Sequence, residues 1–409
     1  MSRLSLLCAK SVLALSVLTV AFNPINSAEA KEKTYKVTNF NNVEVSDELL
    51  NRFVSLAADE VEKEKNLNKK NRATSNAMYN YILASSEDDE FTLIYEDNNI
   101  NDPTVIISKN DKEKANSLNE QLLTTTGEDI PLADIGLNEQ LLSTTEEGTP
   151  LTDTGLNEQL SPTSEGITPL ADSGGFIPDG VGGRVKINGS SASYLSTAVT
   201  TALPSQIYIP PAGGTNCPTN PGQAPADAIC SAFIYGGYSS GSYEADMGLL
   251  YDATIGPSLA EQGYKAFMAV KKGGVLQGQA WNTEYDDVTF KNVYKAGTVI
   301  NQYYYRNNAG KVRLKVEGLA TCSDNACNNP ADKTLISIIE TTANLNLASV
   351  TNWKLVTTVT SLNNTGKNQA DYASIKLDGV LVPSSSFQPA EVDRAQVTRD
   401  ANLKYFFTN

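Results

Sequence analysis

The alternation of apolar and polar residues changes along the chain, and its first part predicts a helix with two strands. Between residues 31 and 114, six apolar residues recur at helical spacing. They are Leu49, Leu50, Phe53, Leu56, Ala57 and Val61. Ser46 precedes this run as an N-cap, and two acidic residues follow in the first turn. Runs rich in β-branched and aromatic residues at 91–95 and 104–108 predict strands. The segment is thus predicted to be a small α+β unit or a propeptide.

From about residue 175 onward the pattern becomes many short runs of Val, Ile, Tyr, Phe and Thr, separated by Gly, Asn and Asp. Roughly ten to twelve such runs, with no long helical period, predict a mainly β protein with a C-terminal antiparallel β-sandwich.

One hairpin of this region can be assigned to faces. Alternation predicts that Val312, Leu314 and Val316 face the core. A turn of two or four residues before them places Tyr303 and Tyr305 on that apolar side. The polar side then carries Gln302, Tyr304 and Arg306. A three-residue turn would reverse this assignment.

Three copies of a 19-residue repeat lie between the two regions. Each copy begins with LNEQL, at Leu118, Leu137 and Leu156, and has a proline at the same place. The copies contain few apolar residues and much Thr, Ser, Gly and acid, too little to bury a shared core. They predict a disordered acidic linker over residues 115–183. The alternative is that each LNEQL is a docking motif presented three times.

Charge supports the same division. The 409 residues carry a net charge of −15, and the linker holds twelve acidic residues with no Lys or Arg. Because neither flank has a basic excess, nucleic acid is not an expected partner.

The N-terminus predicts export. Arg3 and Lys10 accompany a short apolar stretch at 11–22, and Ala-Glu-Ala at 28–30 is typical of a signal-peptide cleavage site. The stretch is too short for a membrane span. The predicted order is signal peptide 1–30, α+β unit or propeptide 31–114, linker 115–183 and β-sandwich 184–409. The protein is expected to be extracellular, with retention at the cell wall left open.

Cysteine and histidine content limit the chemistry. The sequence contains no histidine, which excludes Ser-His-Asp and Cys-His catalysis and the usual zinc sites. Cleavage after residue 30 leaves Cys217, Cys230, Cys322 and Cys327. Of the three pairings that four cysteines allow, Cys217–Cys230 and Cys322–Cys327 are favoured, since each closes a short loop. A metal site at the second pair lacks further ligands.

Three segments of the C-terminal half carry a family resemblance. They are FIYGGYSSGSYEADMGLLYD, YKAFMAVKKGG and DVTFKNVYKAGTVINQYYYRNNAGKVRLKVEG. This region, about residues 182–378, resembles the secreted YrpD-type proteins of Gram-positive bacteria. The resemblance implies export and a concanavalin-like jelly roll, but it supplies no catalytic residues.

The sharpest chemical candidate is a pair of carboxylates, Glu244 and Asp246. Two residues apart on a strand, they project from one face about 6 to 7 Å apart. Laminarinase-type glycoside hydrolases carry E-x-D-x-x-E on a similar sandwich, but Leu249 stands here at the last position. A retaining hydrolase needs a second carboxyl group, which only Glu284 or Asp286 could supply from a loop. No catalytic residue is therefore predicted, and a glycan-active hydrolase or lyase is the alternative function. The structural alternative is that the pair binds nearby Lys or Arg side chains.

Aromatic residues in Gly-rich loops favour binding over catalysis, because such rings can stack on sugars while carboxylates accept hydrogen bonds from hydroxyls. The candidate ligand-binding residues are Tyr235, Tyr238, Tyr243, Glu244, Asp246, Trp281, Tyr285, Tyr304 and Arg306. A structural calcium ion at the carboxylates is the one cofactor left open. The predicted function is a secreted binding protein for a glycan or cell-envelope component. A structural or adhesion role without a small ligand is a further alternative.

Overall fold

The structure, a computed structural model, describes part of the chain in detail. The described residues are 35–39, 43–70, 77–86, 91–98, 102–109, 168–169, 180–211, 217, 230–252, 262–282, 290–322, 333–361, 365–399 and 402–407. By their contacts, Tyr35–Asn409 form one unit and Met1–Thr34 another. The predicted signal peptide and nearly all of the predicted linker lie outside the described residues, so both stay predictions there. The described linker residues, 168–169 and 180–183, belong to strands that pair in the sheets, so the prediction of a disordered linker was wrong for these residues.

The described elements are one long helix and 21 strands. The N-terminal ones are β1 (Lys36–Asn39), α1 (Asp47–Lys70), β2 (Ala77–Ala84), β3 (Phe91–Asp97) and β4 (Thr104–Lys109). The next are β5 (Thr168–Pro169), β6 (Gly180–Ile187), β7 (Tyr194–Thr201), β8 (Ala232–Ser240), β9 (Tyr243–Asp252), β10 (Gly263–Lys272), β11 (Val275–Trp281) and β12 (Phe290–Lys295). The last are β13 (Val299–Asn308), β14 (Lys311–Cys322), β15 (Thr334–Thr341), β16 (Asn352–Thr360), β17 (Gln369–Leu377), β18 (Val380–Leu381), β19 (Glu391–Asp393), β20 (Ala395–Arg399) and β21 (Leu403–Phe407). Single 3₁₀ turns lie at Pro204–Gln206 and Ser384–Ser386.

The strands form two sheets that face each other. Sheet A has the order β1–β4–β3–β2–β15–β14–β13–β7–β17–β21–β20–β5, with β18 on the end of β17. Sheet B has the order β19–β6–β16–β8–β9–β10–β11. Because β12 pairs with both β10 and β14, the two sheets join along one side. The prediction of a mainly β protein is confirmed, and the jelly-roll connectivity stays a prediction.

The main core lies between the sheets. Tyr372 of sheet A donates a hydrogen bond to the Val356 carbonyl of sheet B at 2.6 Å, and Tyr405 donates to the Leu355 carbonyl at 2.9 Å. Both tyrosines are fully buried. The core-facing residues of β14, namely Val312, Leu314 and Val316, are also fully buried, as alternation predicted.

Helix α1 packs on the outer side of sheet A and begins where the sequence predicted. The Leu49 amide donates to the Ser46 hydroxyl at 3.3 Å, which confirms the cap. The buried residues are Phe53, Val54, Ala57, Ala58 and Val61. The prediction was wrong for Leu49 and Leu56, which are 40% and 36% exposed. The face of the helix that contacts the sheet includes Val54 and Ala58. It is therefore rotated by about one residue position relative to the predicted face.

The N-terminal strands extend sheet A. Strands β3 and β4 cover the two predicted runs, and β2 pairs in parallel with β15, from Ala77 opposite Thr334 to Ala84 opposite Thr341. The elements predicted as a small unit thus continue the sheet of the C-terminal half.

The faces assigned to the tyrosine hairpin were wrong. Tyr304 lies opposite Leu314 and faces the core, while Tyr303 and Tyr305 face outward. The turn itself has two residues, Ala309 and Gly310, which is one of the two turn lengths on which the predicted assignment was based. A bulge between Tyr305 and Asn308 adds one residue before it, and one extra residue moves every preceding side chain to the other face.

A disulfide joins Cys217 and Cys230, as predicted. Cys322 is also disulfide-bonded, and its partner lies outside the described residues, as Cys327 does. In the described ranges, no helix is both long and apolar enough to cross a bilayer.

Candidate functional site

The candidate site is the face of sheet B that points away from the main core, here called the outer face of sheet B. Along β9, Ala245, Met247 and Leu249 belong to the main core. Glu244 and Asp246 alternate with them, and therefore project together from the outer face. This placement agrees with the prediction that the two carboxylates share one side of a strand.

Antiparallel pairing aligns the outward residues of neighbouring strands into rows. The first row consists of Arg184, Val356, Tyr235, Gly248, Phe267 and Trp281. The second row consists of Lys186, Lys354, Gly237, Asp246, Ala269 and Gln279. Glu244 lies in a third row, between Ser239 and Lys271. Carboxylates, cations and aromatic rings therefore share one surface.

A buried lysine binds both carboxylates. Lys354 Nζ lies 2.7 Å from Glu244 Oε1 and 2.7 Å from Asp246 Oδ1. Lys354 and Asp246 are buried, whereas the Glu244 side chain is 31% exposed. Gly237 lies between Lys354 and Asp246 in the second row, and a Cβ atom there would stand 1.8 Å from the Ala245 carbonyl oxygen. The structure thus contains the ion pairs that the structural alternative predicted for Glu244 and Asp246.

The two carboxyl groups titrate differently. Burial, with help from the Glu244 charge, raises the pKa of Asp246 to about 6, although Lys354 opposes that shift. Burial alone would raise the pKa of Glu244 as well, but Lys354, Lys271 and Arg184 outweigh it and lower this pKa. The two carboxylates in turn outweigh the burial of Lys354 and raise its pKa. The lysine is therefore charged, and Asp246 changes protonation at about pH 6.

An aromatic pocket lies on the same face of the sheet. It is lined by Phe233, Leu250, Phe267, Met268, Gln279, Ala280 and Trp281. The Phe233 and Phe267 rings meet edge to face at 5.5 Å, and Trp281 is half-buried at the side of the pocket. Asp246 and Gln279 share the second row two strands apart, or about 10 Å. A polar and an aromatic zone thus share one face of the sheet, about 10 Å apart where they come nearest.

The structure brings together some of the predicted residues. Glu244, Asp246, Tyr235 and Trp281 lie on the outer face of sheet B, with Tyr235 fully buried. Tyr243, the first residue of β9, instead packs against the main core on the opposite side from Glu244, with Lys272 Nζ 5.2 Å from its ring centre.

Three further predicted residues lie elsewhere, and Tyr285 is outside the described residues. Tyr238 packs in the main core against Trp353, with ring centres 5.2 Å apart, and Tyr304 is also fully buried there. Arg306 is buried and donates to the carbonyls of Ala192 at 2.6 Å and Ser191 at 3.0 Å. Tyr238 was assigned to a binding surface because its segment was taken as a Gly-rich loop, which the structure shows to be strand β8. Tyr304 and Arg306 were assigned there because the faces of the hairpin were reversed, and the core occupies the side on which all three residues lie.

Sequence reasoning missed Lys354, Phe267 and Gln279. The signal for Lys354 was present in NWKLVTTVT, where one charged residue interrupts an apolar strand. Such a residue needs a buried partner of opposite charge, and Glu244 and Asp246 provide it.

A metal ion has few ligands to use at this face. Within the ranges that the structure describes, no three His, Cys, Asp or Glu side chains are grouped so as to hold one. A calcium ion at Glu244 and Asp246 would have to compete with the Lys354 ammonium for the same oxygens.

The family model for the domain of unknown function YrpD matches residues 175–399. The chain belongs to the YrpD family. This confirms the resemblance carried by the strand segments of the C-terminal half, and the outer face of sheet B lies within the YrpD domain.

Comparison with curated proteins gave no match. Among solved structures, scytalido-glutamic peptidase with a transition state analog inhibitor has a TM-score of 0.34 and 10% identity to this chain. The same peptidase with a peptide-based analog gives 0.32 and 11%. SCP-B, a peptidase of the Eqolisin family in complex with the tripeptide Ala-Ile-His, gives 0.31 and 10%. Each alignment covers 56% of this chain and 98% of the other. Likeness at this level carries no argument about function.

Proposed function

We propose that this YrpD-family protein is a secreted binding protein that holds a glycan or cell-envelope component on the outer face of sheet B. The observation that carries the proposal is that the aromatic pocket at Trp281 and the partly exposed carboxylate of Glu244 share the outer face of sheet B, two rows and two strands apart. Export rests on the predicted signal peptide and is tested by N-terminal sequencing of the protein recovered from culture medium, which should begin near Lys31.

The chemistry of the face suits a sugar. An aromatic ring offers an apolar surface to the C–H side of a pyranose, and Trp281 is half-buried at the pocket. Hydroxyl groups need acceptors and donors held in fixed positions. Lys354 fixes Glu244 at 2.7 Å, and the Gln279 amide lines the pocket. Groups held in place before binding lose little conformational freedom when the ligand arrives.

The test is binding of the full chain to a glycan array that includes peptidoglycan fragments and cell-wall polysaccharides. Replacing Glu244 and Asp246 by Gln and Asn keeps their shape and removes the charge. We expect this double variant, and Trp281→Ala separately, to weaken binding by about 1 to 3 kcal/mol. Tyr208→Ala removes an aromatic residue that is 47% exposed elsewhere, and should leave binding unchanged. Equal binding by all variants would contradict the proposed face.

A hydrolase or lyase acting on glycans is the second candidate, and the pKa of about 6 at Asp246 favours it. Two nearby carboxyl groups with pKa values shifted in opposite directions are typical of acid–base pairs. In that case Glu244→Gln alone should abolish release of reducing sugar and leave substrate binding largely intact. No sugar release by the unmodified protein on any bound glycan would leave binding as the function.

A further inference from the structure

The family match begins at residue 175, yet a strand from outside it completes the sheet. Strand β15 lies within the match and is buried along all eight residues. Its neighbour on one side is β14, and on the other side it is β2. Without β2, the eight backbone positions of β15 would form an open sheet edge, which readily pairs with another strand.

The same N-terminal segment also contacts sheet B. The backbone of Ser85 donates to the Gln279 carbonyl at 3.0 Å and accepts from the Gln279 amide at 2.8 Å. The Asn80 amide donates to Asn292 Oδ1 at 2.5 Å. The segment therefore bridges both sheets on the side where β2 and β11 approach each other.

The two faces of β2 enter two different cores. Met78, Ile82 and Ala84 belong to the main core between the sheets. Tyr79 and Tyr81 belong to a second core beneath α1, which also includes Ile336 and Ile338 of β15. Removing the segment would expose apolar residues on both sides of sheet A, so its docking is supported by burial as well as by backbone pairing.

Buried ion pairs fix the helix to the same region. Arg313 of β14 lies 2.8 Å from Glu60 of α1 and also binds Glu340 of β15. Lys315 of β14 lies 2.5 Å from Glu64 of α1. All these side chains are at most 14% exposed. The surface of β14 and β15 thus fits a partner of specific form: a parallel strand that carries a helix with acidic residues on its inner side.

We propose that residues 36–109 are a strand-complementing segment that is retained by these contacts and not by its covalent connection. Cleavage of the chain between residues 110 and 167 would then leave a stable protein of two associated fragments. A covalent tether contributes only an effective concentration, of millimolar order for flexible connections. Strand addition to a sheet edge is a common mode of association between separate chains, and here helix packing and buried ion pairs reinforce it.

The test uses the full chain with a specific protease site inserted after Gly148, in the second repeat. After complete cleavage, we expect both fragments to co-elute in size-exclusion chromatography at micromolar concentration and to separate only in denaturant. Elution of the N-terminal fragment alone in native buffer would overturn the proposal. The proposal would also be overturned if the uncut chain eluted as a dimer in which each N-terminal segment docks on the other copy.

Charge variants separate docking from folding. In the cut protein, Arg313→Met should increase the dissociation of the N-terminal fragment at least tenfold, while Arg399→Met, on β20 of the same sheet, should not change it. If the first variant fails to fold, Glu60→Gln removes one charge of the same pair from the other fragment and should weaken association severalfold. Dissociation of these variants at the rate of the Arg399 control would contradict the assigned contacts.

Discussion

Each outer face of the molecule has a buried cation between two carboxylates, but the two clusters are built differently. On sheet A, Arg313 joins Glu340 of a neighbouring strand to Glu60 of α1, a residue 253 positions away in sequence. On sheet B, Lys354 joins two residues of β9 across the single strand β8. The first cluster links a helix to a sheet, whereas the second links strands that backbone hydrogen bonds already hold.

The charge states differ in the same way. Burial by itself would raise the pKa of Glu60, but Lys63 and Arg313 outweigh it and lower this pKa. The pKa of Arg313 is raised, because Glu340 and Glu60 overcome its burial. On sheet B, by contrast, the pKa of Asp246 rises to about 6. The sheet A cluster therefore stabilises the packing of α1 on the sheet, while the sheet B cluster keeps a carboxyl group whose pKa is raised to about 6, a kind of shift that is frequent at functional sites.

Removal of the sheet B lysine is expected to have the largest effect on stability. Lys354→Met keeps the volume and removes the ammonium that lies 2.7 Å from both Glu244 and Asp246. We expect the free energy of unfolding at pH 8, from urea titration, to fall by about 3 to 5 kcal/mol. The loss should be smaller at pH 5, where Asp246 is protonated. An equal loss at both pH values would contradict the assigned titration.

The corresponding change on sheet A should cost less. Arg313→Met leaves Lys311 2.8 Å from Glu340 and Lys63 beside Glu60, so neither carboxylate loses all its positive partners. We expect a loss of about 2 to 3 kcal/mol in the uncut chain, measured in the same way. A larger loss than for Lys354→Met would contradict the expectation that the remaining positive partners of Glu340 and Glu60 limit the cost on sheet A.

The two carboxyl groups should give opposite pH profiles. The folded protein holds the Asp246 proton more tightly than the unfolded chain, so the contribution of Asp246 to the free energy of unfolding falls as pH rises from about 4 to 6. Asp246→Asn removes this fall. The free energy of unfolding of this variant, relative to that of the unmodified protein, should therefore rise by roughly 1 to 3 kcal/mol over that range. The lowered pKa of Glu244 gives the reverse: its contribution is present above about pH 4.5 and is lost in acid. Relative to the unmodified protein, Glu244→Gln should therefore become less stable as pH rises, and parallel profiles for both variants would refute the assignment.

The smallest effect is expected for an exposed pair. Lys404 Nζ lies 3.8 Å from Asp371 Oδ2, and the side chains are 33% and 40% exposed. Because water screens such pairs, Lys404→Met should change the free energy of unfolding by less than about 1 kcal/mol. A loss as large as that of Arg313→Met would show that burial is not what separates the clusters.

The sequence predicted those features that depend on local pattern. The cap at Ser46, the strands at 91–97 and 104–109, and the core-facing alternation of β14 all follow from residues a few positions apart. The disulfide between Cys217 and Cys230 closes a loop of 13 residues, and loop length was the argument for it. The shared face of Glu244 and Asp246 needed only the two-residue period of a strand.

The rest depended on long-range pairing or on burial of both faces. Strand β8 is buried on both sides over seven residues, so alternation cannot show that Tyr235 faces outward and Tyr238 inward. The bulge before Ala309 reversed the hairpin without a signal in the apolar pattern. Lys354 is 110 residues from Glu244, and β15 lies more than 240 residues from β2. No spacing along the chain indicates such contacts.

The position of β4 and β5 in sheet A sets a minimum length for the chain between them. β4 is second in the order of twelve strands and β5 is last, a distance along the sheet of about 48 Å at the usual strand spacing. An extended chain covers that with roughly 15 residues, and 58 residues lie between Lys109 and Thr168. The surplus exceeds one complete 19-residue repeat, and removing two would leave about 20 residues, still enough for the crossing. The number of repeats before β5 is therefore free to fall by two or to rise without straining the sheet, so tandem duplication and deletion in this gene segment are compatible with an unaltered fold.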